Sequence, residues 1–198
     1  MASLAAERPV FHSEADFQHS LALMIHQLKP NLEVRLEIPV RGIALDMLVM
    51  DPTSGERLAV ELKYKTALWE GSVGAEDFKL KNHGADDVGS YDVLKDVQRV
   101  EQLVTHGAAS AGALIFLTNS SSYWNPRRPS ARVTNAHEFR VSQGSTLHGV
   151  RSWGPNTGGS MRGRTEPITL TGVYVVDWEP YSNIGGKNGI LKQLIFTV

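Results

Sequence analysis

The sequence predicts an α/β chain with a central mixed β-sheet flanked by helices and a core order α-β-β-β-α-β. Three features carry that expectation. A helical apolar repeat over residues 13–28 precedes three strand-like runs between residues 33 and 64. A second helical repeat over 93–103 is followed at once by the short apolar run Ala113 to Leu117. Two further strand-like runs, Thr171 to Trp178 and Leu191 to Val198, close the chain. Helices alternating with short strands pack as layers, and short links between the early strands favour an antiparallel meander.

In the first helix, Phe17, Leu21, Met24, Ile25 and Leu28 recur at the spacing of one buried face. Ser13 with Asp16 three residues on fits a loose N-terminal capping box. Lys29-Pro30-Asn31 ends the helix, because a residue before proline avoids the helical region. Glu33 to Val40 then alternates, with Val34, Leu36 and Ile38 on one side and Arg35 and Glu37 on the other. Ile43 to Met50 is almost continuously apolar, and Asp51-Pro52-Thr53-Ser54-Gly55 is a turn cluster before the third strand, Leu58 to Tyr64. Residues 66–89 are glycine-rich and of mixed charge, and are expected to form a long loop or lid. In the second helix Val93, Val97, Val100 and Val104 lie near one face. Residues 119–167, rich in Ser, Gly, Pro and Arg, are expected to be a long excursion with some short strands within one domain spanning 1–198. Trp178, Tyr181 and Phe196 are expected to pack in the core.

At 198 residues, 41% hydrophobic and 21% charged, the chain has an ordinary globular composition, which excludes disorder along its whole length. It has no cysteine and therefore no disulfide, which fits a reducing compartment. Its apolar stretches are far shorter than the roughly 18 residues of a membrane span. The segment Met1 to Val10 carries Glu7 and Arg8 and does not read as a secretory signal, so a cytoplasmic setting without membrane partners is expected. The net charge of −1 excludes polyanion binding by bulk charge. The distribution is uneven, however. Residues 1–118 hold 11 basic and 17 acidic side chains, whereas residues 119–167 hold seven arginines against Glu138 and Glu166.

Three polar residues stand where a packed strand calls for apolar ones. Asp46 interrupts Ile43 to Val49, and Glu61 and Lys63 interrupt Leu58 to Tyr64. Charges in such runs are costly unless paired or bound to a metal. Residues two apart on a strand share a face, so Glu61 and Lys63 point one way and Val60 and Leu62 the other. Pairing through the turn at 51–55 would bring Asp46 to the face of Glu61. Two carboxylates at one spot repel, and a hard divalent cation relieves the conflict. Such a cation would activate a water and stabilise charge on a phosphate, with Lys63 orienting the water or stabilising the pentacovalent phosphorus. The plain alternative is ion pairing of Asp46 and Glu61 with Lys63 at a sheet surface.

Asp46, fourteen residues, then Glu61-Leu62-Lys63 resembles the PD-(D/E)XK nuclease superfamily, the restriction-endonuclease-like fold. Residues 13–118 match the family's order of elements, and Leu45 stands where the family name has proline. The resemblance implies Mg2+-dependent hydrolysis of phosphodiester bonds, with DNA the expected substrate and Mn2+ an alternative metal. It implies an endonuclease with Asp46, Glu61 and Glu14 as metal ligands and Lys63 as the assisting cation. Glu14 holds the position from which many members supply a further acid, although an acid in a first helical turn is also favoured by the macrodipole. Gln98 matches the polar residue that some branches send from the helix after E-x-K. Cleavage of both strands of a duplex would favour a homodimer.

Among the insert's arginines, Arg127, Arg128, Arg132 and Arg140 are the candidate phosphate contacts, with Arg151, Arg162 and Arg164 nearby. Tyr123, Trp124 and Trp153 lie among them and would stack on bases. His83, with Asp86 and Asp87, is a candidate assistant from the loop. A second hypothesis is a non-catalytic nucleic-acid or protein-binding module that retains the nuclease-like fold. A nucleotide hydrolase is a third, and it calls for a phosphate loop; Gly154 to Gly163 lacks the glycine-lysine-Ser/Thr element of one.

Overall fold

The computed structural model describes residues 1–128, 130, 132–155, 161 and 163–198. The chain opens with a short helix, α1, Ala2–Glu7, which buries Leu4. α2, Glu14–Leu28, follows from Ser13, whose Oγ accepts the Asp16 amide at 3.1 Å. β1, Glu33–Val40, β2, Ile43–Met50, and β3, Arg57–Lys65, form the expected antiparallel meander. α3, Asp86–Thr105, then crosses to β6, Ala111–Thr118, which lies parallel to β3 from Leu58↔Ala111 to Lys65↔Thr118.

Two more elements lie between β3 and α3. The segment expected as a loop contains a hairpin, β4, Trp69–Val73, paired with β5, Glu76–Leu80. Trp69, Phe78 and Leu80 sink into the core, and the Trp69 indole donates to the Gly185 carbonyl at 2.9 Å. Of the glycines that suggested a loop, Gly74 sits at the hairpin's turn, where it takes a φ of 62°. α3 also begins seven residues earlier than its valine repeat predicts.

Beyond β6 come a single-turn helix, α4, Ser121–Trp124, a 3₁₀ turn over His137–Phe139, β7, Thr146–Arg151, and β8, Ile168–Val175. β9, Glu179–Asn183, and β10, Ile190–Thr197, end the chain. The main sheet has six strands in the order β1-β2-β3-β6-β10-β9, mixed because only the β3–β6 neighbours are parallel. β8 does not join it. It pairs with β7 as a separate two-stranded sheet, which corrects the expectation of one sheet for all strands.

The main sheet is packed on both faces. Val60, Leu62 and Tyr64 meet Phe17, Leu21 and Met24 of α2 on one side. Ala59 meets Leu103 of α3 in a second cluster. The insert and the closing strands build a third cluster in which Trp178, Phe116 and Phe196 are buried, as expected of Trp178 and Phe196. Close approach explains two glycines. A Cβ on Gly112 would run into Val100 of α3, and one on Gly89 would run into the Tyr123 hydroxyl. No helix among the described residues is long and apolar enough to cross a membrane.

β8 is fixed to α3 by one buried carboxylate. Glu101, 3% exposed, accepts the Thr171 and Gly172 amides at 2.9 and 2.7 Å and the Tyr174 hydroxyl at 2.8 Å. Removing it strands two amides and a hydroxyl, each worth about 1–3 kcal/mol when left unpaired in the interior. Glu101→Ala is therefore expected to lower stability by about 3 kcal/mol or more, read as a fall in the urea midpoint at unchanged slope.

Candidate active site

The site begins where a β-ladder stops. β2 and β3 pair only from Met50↔Arg57 to Met47↔Val60, and past Val60 the meander parts from β3. β1 and β2 stay together, with a skipped register at Glu37 and Asp46, and Glu37 takes a φ of 51°. A strand that loses a neighbour exposes amides that need partners. Asp46 Oδ2 accepts the Leu62 amide at 2.7 Å, and Glu14 Oε2 accepts the Tyr64 amide at 2.7 Å. Gln18, buried on α2, braces the fork by donating to the Asp46 carbonyl at 2.7 Å and to Glu37 Oε1 at 2.8 Å.

Glu61 and Lys63 share a face of β3, as the two-residue period requires, and that face meets α3. Arg99 approaches Glu61 Oε1 at 3.1 Å, and Lys63 Nζ lies 2.7 Å from Asp96 Oδ2. Arg99 also pairs with Asp96 Oδ1 at 3.1 Å and donates to the Ala44 carbonyl. The charge of Asp46 acts on Glu61, which places the two candidate ligands near each other. Four carboxylates, Glu14, Asp46, Glu61 and Asp96, thus gather around Lys63 and Arg99.

The electrostatics follow from that excess. Burial, then the charges of Asp46 and Asp96, push Glu61 from an ordinary value of 4.5 up to about 9. Burial raises Glu14, against the pull of Lys63, and raises Asp96, also against Lys63. Burial pulls Lys63 down, but Asp96 and Glu14 outweigh it and its value lies above the ordinary one. Glu61 Oε1 and Asp96 Oδ2 are buried, and each is met by a cation, Arg99 at 3.1 Å and Lys63 at 2.7 Å.

Asp46, Glu61, Lys63 and Glu14 therefore lie together, with the Oε2 of Glu14 engaged by a backbone amide. Among the described residues, no three or more His, Cys, Asp or Glu side chains converge as a group ready to hold a metal. Gln98 is placed elsewhere and donates to the Thr169 carbonyl at 3.1 Å. The same helix sends Asp96 and Arg99 instead. Both were legible only as polar positions on a helix, since nothing local marks which turn faces the E-x-K strand.

The insert is corrected in its aromatic part. Trp124 is buried against Trp178 at 5.9 Å, and Tyr123 packs edge-on against Phe116. Trp153 stacks on Tyr91 and donates to the Arg164 carbonyl at 2.7 Å. Tyr123 and Trp124 fill the core and are not open to bases, and Trp153 is half-buried against it. Arg164 is bound to Asp92 at 2.6 and 3.0 Å, and Arg151 donates to the Thr146 carbonyl at 3.3 Å. Arg128 is exposed, whereas Arg127, Arg132 and Arg140 line a cleft of about 910 Å3. Arg162 lies outside the described residues, as does most of the glycine-rich stretch 154–163. His83 is held at Nδ1 by the Thr66 amide at 2.9 Å, and burial and then Lys65 lower its value.

Compared with protein-family models, curated proteins and solved structures, the chain has no significant match.

Glu61 makes stability depend on pH. Its folded-state value lies above its unfolded one, so between about pH 5 and 9 the folded protein holds a proton that the unfolded chain releases. Stability in EDTA is expected to fall as pH rises through that window. Glu61→Gln is expected to flatten the decline, read from urea unfolding at a series of pH values.

Proposed function

We propose that the protein is a cytoplasmic, divalent-metal-dependent nuclease of restriction-endonuclease-like fold, acting on DNA. The observation that carries the reading is the seating of Asp46 Oδ2 on the Leu62 amide at 2.7 Å, which sets this acid beside Glu61 and Lys63 on β3. The donor set suits a hard cation. It is all oxygen, and its carboxylates outnumber the two cations, Lys63 and Arg99, that meet them. Asp46 and Glu61 would hold the ion, and Glu14 would complete its surroundings.

When bound, Mg2+ would supply a more acidic water and neutralise charge growing on a phosphate. The protein's own part is to hold charge in place. Asp46 is fixed by the Leu62 amide, so its carboxylate needs little reordering. Lys63 stays protonated beside Asp96 and is thus a cationic donor to a phosphate oxygen or water rather than a base. Arg99 lies 3.1 Å from Glu61 Oε1 and would be available to an anionic substrate if a cation held Glu61 instead.

A second reading, a binding module on the same fold, draws on the same ion pairs. Lys63 with Asp96 and Arg99 with Glu61 give the buried charges partners without any metal.

The two readings separate by experiment. Plasmid, linear duplex, single-stranded DNA and RNA incubated with Mg2+, Mn2+ or EDTA are expected to show cleavage only with metal. Asp46→Ala and Glu61→Gln are each expected to reduce it at least a hundredfold with the fold retained. Cleavage by Asp46→Ala at the wild-type rate would refute the assignment. Calorimetric titration with Mn2+ gives a readout apart from activity, and the heat of binding is expected to vanish in the Asp46→Ala protein.

A further inference from the structure

The cleft in the insert lies apart from the carboxylates. Asp86 and Asp87 line it at the start of α3, ten residues before Asp96, which is about 15 Å of helix. Its volume of about 910 Å3 falls within the roughly 300–1,000 Å3 of ligand clefts. Arg127, Arg132 and Arg140 line the same space.

Among the described residues no carboxylate forms an ion pair with these arginines, although the charge of Asp86 favours the Arg140 cation. Among the described residues, the ion pairs made by the insert's basic side chains are Arg164 with Asp92 and His137 with Glu138. Arg127 donates to the Arg132 carbonyl at 2.6 Å, and Arg140 reaches the Ser122 carbonyl only at 3.5 Å. Two buried polar atoms on the cleft's lining have no hydrogen-bond partner, Arg140 Nε and Thr134 Oγ1. Burial and the nearby charge of Arg127 both disfavour the Arg140 cation. A half-buried guanidinium beside another, with an idle Nε and an idle hydroxyl, has the chemistry of a site awaiting an anion with several acceptor oxygens.

From this geometry we infer that the cleft binds the phosphate groups of a nucleic-acid strand, gripping the substrate away from the carboxylate centre. The inference rests on the nuclease reading for its choice of polyanion. Asp86 and Asp87, which also line the cleft, are acceptors that a bare anion would avoid. A nucleotide offers donor groups on its bases as well as phosphate oxygens, and so suits a lining of both signs.

The test is binding without metal, so that cleavage plays no part. Fluorescence anisotropy of a labelled oligothymidylate and of a labelled duplex is measured in EDTA over a range of salt. The proteins are the wild type, Arg140→Gln, the double variant Arg127→Gln/Arg132→Gln and, as a control, Arg35→Gln, an exposed arginine on β1 outside the cleft. Circular dichroism melts check folding, and the double variant changes only exposed side chains. Affinity for at least one probe is expected to drop tenfold or more in both cleft variants, and the salt slope to fall by about one for each phosphate no longer neutralised. Arg35→Gln is expected to bind as the wild type does. Unchanged affinity in the folded double variant would overturn the inference. So would competition by a 5′-mononucleotide or inorganic phosphate as effective as that of the unlabelled oligonucleotide. If the cleft variants lose binding while the wild type cleaves nothing, the nuclease reading alone fails. If the wild type cleaves and the cleft variants bind and cleave as it does, the cleft assignment alone fails.

Discussion

The fork between β2 and β3 is the constraint on which the candidate site depends. A sheet normally satisfies its own amides, and here β3 loses its antiparallel neighbour after Val60 while keeping its parallel one. The Leu62 and Tyr64 amides then need acceptors, and carboxylates accept more strongly than any neutral side chain. Asp46 and Glu14 fill that need. One structural demand thus brings an acid from a strand and an acid from a helix to the same edge. The hydrogen bonds also hold the acids in place, which is the condition for using them chemically.

Once the fork is open, the remaining charges follow from the need to offset burial. Glu61 lies beside Asp46, and two neighbouring acids call for a proton or a cation. α3 answers in part with Arg99, while its Asp96 holds Lys63. The network is not balanced, because four carboxylates share the two cations Lys63 and Arg99. An apolar core of equal volume would be no less stable. A polar cluster that gains the fold so little, and is left unbalanced, is better suited to binding a further charge than to holding a sheet together.

Much of this was legible in the sequence because it rests on local periodicity. The alternation over Glu33 to Val40 and the apolar run over Ile43 to Met50 give two strands to the residue, and Ser13 gives the start of α2. The shared face of Glu61 and Lys63 follows from the pleat alone. What was hidden depends on tertiary partners. The β4–β5 hairpin is held by Trp69, Phe78 and Leu80 reaching a core assembled from distant segments, and five-residue strands carry little periodic signal. β8 leaves the main sheet because Glu101, an acid with no local mark on its helix, captures its amides. The choice of Asp96 and Arg99 over Gln98 is a matter of helix rotation against the sheet. A step of one residue turns a side chain by about 100° around the axis, so adjacent polar positions cannot be ranked without the partner surface.

The segregation of charge has a consequence that neither half shows alone. The acidic body carries the carboxylate centre, which would repel a polyanion at long range, since a surface of one sign acts over about 10 Å at ordinary salt. A basic wall on the same chain offsets that repulsion only if its cations stay available. Arg164 is paired with Asp92, Trp124 is packed into the core and Trp153 against it, so the insert is chiefly a structural annex. Arg127, Arg132 and Arg140 are among its arginines without an ion-paired carboxylate, and they share a cleft with the first turn of the helix that carries Asp96 and Arg99. α3 therefore ties a cation-lined cleft to an acid-lined fork through one rigid element. An anionic chain held by the first would be presented to the second at a fixed distance, with the helix setting the spacing.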